Sequence, residues 1–95
     1  MDSNNSDEFY KKLKDQLADT SVWPAKYMYK FIVPSIPEKT DSISTIFDGL
    51  GAIIEHKVSS KGTYTSVSIK VTMSSPEAVI EKYKEVGKIE GVISL

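Results

Sequence analysis

The order of patterned segments predicts an α+β sandwich, a four-stranded antiparallel sheet with two helices on one face and a further helix ahead of it. Three observations predict this. Residues 25–33 and 63–73 alternate apolar and polar side chains with a period of two, the pattern of strands with one buried face. Residues 38–50 and 76–86 carry apolar side chains at helical spacing. The segments follow one another as β-α-β-β-α-β, two crossovers around a hairpin, which is the ferredoxin-like βαββαβ sandwich.

Each element has its own signal. Residues 1–5 read as a frayed polar start, and Ser6 is placed to cap a helix that Asp7 and Glu8 open favourably at its positive end. Two helical stripes compete there, Phe9-Leu13-Gln16 and Tyr10-Leu13-Leu17. Pro24 ends the helix because it disfavours helical backbone at Trp23. In the first strand, Tyr27, Tyr29, Phe31 and Val33 form one face, and Lys26, Met28, Lys30 and Ile32 the other. Pro34 and Pro37 close it. Ile43, Ile46, Phe47 and Leu50 make a continuous helical stripe that Gly49 and Gly51 terminate. A second strand is expected over residues 52–60 and a third over residues 63–73, where Val67, Ile69, Val71 and Met73 alternate with Ser66, Ser68, Lys70 and Thr72. Ser75 caps the last helix with Pro76 at its first position. Val79, Ile80, Tyr83 and Val86 line its inner side, Gly87 stops it, and residues 91–95 form a short final strand. The chain divides into an N-terminal tail and helix, residues 1–23, and the sandwich domain, residues 24–95.

Composition narrows the chemistry. With 95 residues, 40% hydrophobic and 26% charged, the chain holds one core and falls in the ordinary globular range. The absence of cysteine removes disulfides, thiolate metal sites and cysteine nucleophiles. No apolar run approaches the roughly 20 residues that span a bilayer, and no signal peptide is recognisable, so a cytoplasmic location is expected. The net charge of −1 gives no strong field for nucleic acid or anionic membrane. All twelve basic residues are lysine, which leaves no planar guanidinium fork for base edges or bidentate phosphate contacts.

The run Ser59-Ser60-Lys61-Gly62-Thr63-Tyr64-Thr65-Ser66-Val67-Ser68-Ile69 resembles the hairpin motif of the YbeD-like family of small bacterial proteins. Tyr83-Lys84-Glu85-Val86-Gly87-Lys88-Ile89 fits the same pattern, with a weaker echo in Tyr29-Lys30-Phe31. The resemblance covers residues 24–95 and implies a ferredoxin-like fold similar to the ACT-type regulatory domains of amino-acid metabolism. It supplies no catalytic residue. ACT domains commonly bind small ligands at the first strand–helix loop, often through a glycine. Here that loop is Val33-Pro34-Ser35-Ile36-Pro37, without one.

The residues themselves support no enzyme. His56 is the only histidine, and strand alternation turns its neighbours Glu55 and Lys57 to the opposite face. No nucleophile elbow, Walker loop, dinucleotide fingerprint or metal-ligand spacing occurs, and no cofactor is expected. RNA binding of the ferredoxin-like kind needs aromatics on the open face of the central strands, whereas Tyr27, Tyr29 and Phe31 belong to the core side. An RNA- or nucleotide-binding domain is therefore the second reading. The first is a non-enzymatic regulatory or protein-interaction module, binding a protein partner or a small anionic metabolite, with a homodimer also open. Two surfaces are candidates. The open sheet face carries Lys30, Lys57, Ser66 and Lys70, and is expected to be a docking patch, a solvated face, or the seat of the N-terminal helix. The hairpin offers Ser59, Ser60, Lys61, Gly62 and Tyr64, whose hydroxyls and backbone donors suit either an anion or simple turn geometry.

Overall fold

The computed structural model describes residues 2–95, with side chains described from residue 7 onward. In chain order the elements are α1 (Asp2–Thr20), β1 (Ala25–Pro34), α2 (Pro37–Ile46), β2 (Ile53–Val58), β3 (Tyr64–Met73), α3 (Pro76–Val86) and β4 (Ile93–Ser94). The strands form one antiparallel sheet in the order β2-β3-β1-β4. The two longest strands, β1 and β3, are central and pair along ten residues, Ala25 opposite Met73 through Pro34 opposite Tyr64. Each crossover skips one strand, so the fold is the ferredoxin-like βαββαβ sandwich with an added N-terminal helix.

The core follows from alternation. Because side chains switch faces at every residue, the register brings Tyr29 beside Ile69 and Phe31 beside Val67 on one side. These four, with Val33, are fully buried under Ile43 of α2, Phe47 just past its end, and Val79 and Val86 of α3. Tyr29 lies between Phe47 and Tyr83, ring centroids 4.9 Å from each. A buried phenol hydroxyl must find a partner. That of Tyr29 donates to the Val79 carbonyl at 3.0 Å, and the Tyr27 and Tyr83 hydroxyls bond each other at 2.8 Å. Three tyrosines thus tie the sheet to α3 through polar bonds as well as apolar area.

Several boundaries move. Helix α1 starts at Asp2, so Ser6 falls inside it, and the expected frayed start is helical from residue 2. The capping role of the Ser6 side chain lies outside the described residues. Of the two stripes, Tyr10-Leu13-Leu17 is the packed one, while Phe9 is 59% exposed and Gln16 is exposed. Helix α2 runs over Pro37–Ile46 and not to Leu50. Its polar residues work against it: Ser42 and Thr45 turn their hydroxyls back onto the Glu38 and Asp41 carbonyls. Lys82 of α3 then seals its end by donating to the Ile46 carbonyl at 2.8 Å. Leu50 consequently leaves the stripe and is exposed. Strand β2 is shorter than expected, Ile53–Val58, because residues 59–63 are used by the turn. Strand β4 shrinks to Ile93–Ser94, because Gly91 turns at φ +84 against the Pro34 ring. Ser75 caps α3 as expected, accepting from the Ala78 N–H at 3.1 Å.

Helix α1 settles the open question of its seat. It lies along the outer side of α3, with the Tyr10 ring 6.5 Å from that of Tyr83 and the Lys84 ammonium 5.6 Å over the Tyr10 ring. It therefore joins the helical layer and leaves the far side of the sheet bare.

Two expectations follow for stability. Ile69→Ala, at a fully buried site, should cost about 3 kcal/mol, whereas Met28→Ala on the bare face should cost at most about 0.5 kcal/mol. Urea denaturation of the two variants checks this. Burial first, then neighbouring Tyr83 and Tyr27, pushes the Tyr29 phenol well above its ordinary value, and burial with the Tyr27 bond pushes Tyr83 the same way. Above about pH 10 the unfolded chain releases these phenolic protons while the folded chain keeps them, so their contribution to stability is level below that pH and falls above it. The drop in urea midpoint from pH 9 to pH 11 should be smaller in Tyr83→Phe, which has one such phenol fewer.

Candidate functional site

On the side away from the helices, the register aligns side chains in rows across the strands. Ile53, Lys70 and Met28 form one row, and Glu55, Ser68 and Lys30 the next. Lys57, Ser66, Ile32 and Ile93 form a third. Lys26 opposes Thr72 at one end, and Tyr64 opposes Pro34 at the other. Strands sit about 4.8 Å apart, and alternate residues about 7 Å apart along a strand. Met28 is therefore bracketed by Lys26 and Lys30 on its own strand and by Lys70 directly across.

This face is chemically uneven. Met28 is 57% exposed and Ile53 63%. Four lysines (26, 30, 57 and 70) stand against one carboxylate, Glu55. The ion pair found among the described residues is elsewhere, Lys82 to Glu85 of α3 at 3.7 Å, so the lysines of the sheet keep their charge unpaired. At the Lys26 end the surface is hollowed, a concavity of about 250 Å³ walled by Lys26, Lys70, Ile53, Thr72 and Gly51.

The expected residues of the sheet thus come together. Lys30, Lys57, Ser66 and Lys70 share the bare face, with Tyr64 at its far edge. Sequence reasoning left out Ile53 and Glu55, although alternation puts both on the side of Lys57, and Ile93, whose place needs the pairing of β4.

The hairpin residues form a separate group. Ser59 N–H donates to the Tyr64 carbonyl at 2.8 Å and Gly62 N–H to the Ser59 carbonyl at 2.9 Å. The Tyr64 N–H donates to the Ser59 hydroxyl oxygen at 3.2 Å. Gly62 adopts φ +75, the left-handed region in which a side chain is strained. Three backbone donors and one hydroxyl are thus occupied in closing the turn, and Ser60 and Lys61 project from it exposed.

His56 points to the helix side of β2 and sits, exposed, in a groove of about 250 Å³ beside the start of α2. Ser35, Thr40 and Thr65 line it with His56; the Ser35 and Thr65 hydroxyls bond each other at 2.8 Å, and the Thr40 hydroxyl donates to the Pro37 carbonyl at 3.0 Å. Among the described residues, no three His, Asp or Glu side chains converge in a way that could hold a metal ion. No helix among them is long and apolar enough to cross a membrane.

Comparison with known proteins agrees with the hairpin resemblance. The model of a family described as "Protein of unknown function (DUF493)" matches residues 19–95, which leaves nearly all of α1 outside it. A UPF0250 protein of Shewanella piezotolerans is 33% identical over 73 residues, covering 74% of this chain and 83% of the relative. One from Vibrio vulnificus is 37% identical over 82 residues, covering 83% and 85%. One from Enterobacter is 30% identical over 87 residues, covering 82% and 93%. No solved structure matches the chain. With the matched segment containing every strand and both helices of the sandwich, the chain belongs to the DUF493 (UPF0250) family, the YbeD-like group whose function is unknown.

Proposed function

We propose that this protein is a non-enzymatic regulatory or protein-interaction module whose working surface is the bare face of its sheet. One observation carries the reading: all three helices lie on one side, while the other side presents exposed Met28 and Ile53 among unpaired lysines. An antiparallel sheet tolerates a solvated face, but that face is then normally polar throughout. Exposed aliphatic side chains grouped with unpaired charges are characteristic of a docking patch. The hairpin is the weaker candidate, since the Ser59, Gly62 and Tyr64 N–H groups are occupied within the turn. The RNA-binding alternative gains no observation: Tyr29 is fully buried and Tyr27 is bonded to Tyr83, so neither ring is free to stack on a base. Ligand sensing of the ACT type would use the groove at Ser35 and His56, where the loop lacks glycine and the hydroxyls are already paired.

Affinity purification from the native cell tests the proposal. A double variant, Met28→Ser with Lys30→Ala, should reduce recovery of the bound partner at least tenfold, and Lys61→Ala should leave it unchanged. Recovery unaltered by the double variant would reject the sheet face. Thermal stabilisation by a metabolite that Ser35→Ala abolishes would move the working site to the groove.

A further inference from the structure

Resting on the sheet-face reading above, we propose that the partner is an acidic polypeptide segment, extended along the sheet, in which carboxylates flank an aliphatic side chain. Charge is the first support. The chain as a whole is slightly acidic, twelve lysines against thirteen carboxylates, yet the bare face holds four lysines and one glutamate. Among the described side chains, the rest of the protein holds eight lysines against eleven carboxylates. Such segregation gives the face a positive field on a negative molecule, which steers an acidic segment to it and away from the rest.

Spacing is the second support. Along β1 the order Lys26, Met28, Lys30 alternates charge, apolar, charge on a single face, with a pitch of about 7 Å. An extended segment presents every second side chain to one side at the same pitch. An acid–x–aliphatic–x–acid segment therefore sets its aliphatic group on Met28 and its two carboxylates over the flanking lysines. The concavity between Lys26 and Lys70 has room for one of those carboxylates, and Ile53 on its wall extends the apolar contact.

Other occupants fit less well. Phosphates would be met by the lysines, but bases need flat aromatic surfaces, and the one aromatic on this side, Tyr64, lies at the far end beside Pro34. A second copy docking face to face would set two like-charged sheets about 10 Å apart, close to the screening length of about 8 Å at physiological salt.

A random dodecapeptide library panned against the full chain, with a Lys26→Glu, Lys70→Glu variant as counter-selection, tests the partner chemistry. Both positions are exposed, so the variant should show the wild-type urea midpoint. The expected result is enrichment of sequences with Asp or Glu two residues either side of Leu, Ile, Val or Met. Their binding should fall at least tenfold in the charge-reversed variant and severalfold in Met28→Ser, and should weaken with added salt. No enrichment, enrichment of neutral or basic sequences, or equal binding by the charge-reversed variant overturns the proposal. So does a dodecauridine that binds the chain more tightly than the best selected peptide. The two readings fail separately. Native capture sensitive to the Met28 and Lys30 substitutions, with no acidic enrichment, removes only the acidic segment; capture insensitive to them removes the sheet face and this proposal with it.

Discussion

Tyr29 has no exposed surface, and a phenol in that position must give its hydroxyl an acceptor inside the protein. It finds the Val79 carbonyl of α3, and the requirement to meet that one atom fixes how far the helix sits above the sheet and along it. The aromatic rings around Tyr29 then fill the space so defined. Phe31 stacks at 5.7 Å, Phe47 reaches over from the end cap of α2, and Tyr83 closes from above with its own hydroxyl held by Tyr27. An unpaired hydroxyl here would cost about 1–3 kcal/mol, so alternative placements of α3 are penalised beyond their loss of apolar contact.

The same constraint determines which surface is left for binding. Once Tyr27, Tyr29, Phe31 and Val33 face the helices, strand geometry turns Lys26, Met28, Lys30 and Ile32 the other way. Because Tyr83 also presents its outer edge to Tyr10, the layer that covers the sheet offers α1 a seat on its own far side. The additional helix is thereby drawn to α3 and not across the lysine-bearing face. The bare surface is thus a by-product of core packing, and it mixes aliphatic with cationic side chains.

The two candidate surfaces differ in what their backbone groups are doing. In the hairpin, the turn uses the Ser59, Gly62 and Tyr64 N–H groups, and Gly62 answers to backbone geometry. On the sheet, backbone groups belong to the ladder while the side chains carry unpaired charge. The recognition proposed there rests on side-chain spacing alone, which suits a partner with a matching period of two.

Much of this was legible in residue order. The alternation of β1 and β3 identified the buried set correctly because a strand buried on one face has no other way to place it. The Ser75-Pro76 start of α3 was legible because the capping bond is local. The end of α2 was not: the stripe runs on to Leu50, but hydroxyls at Ser42 and Thr45 compete for the helix carbonyls, and a lysine from α3 caps the end at Ile46. The start of α1 at Asp2 was missed because Ser6-Asp7-Glu8 imitates a beginning. For the candidate surface, the sequence by itself determined that Lys26, Met28 and Lys30 share one side, since neighbours two apart on a strand always do. Only the tertiary structure decided that Lys70 and Ile53 stand beside Met28 and that α1 leaves them uncovered. Cross-strand register and helix seating depend on contacts between residues far apart in the chain, and no local pattern encodes those.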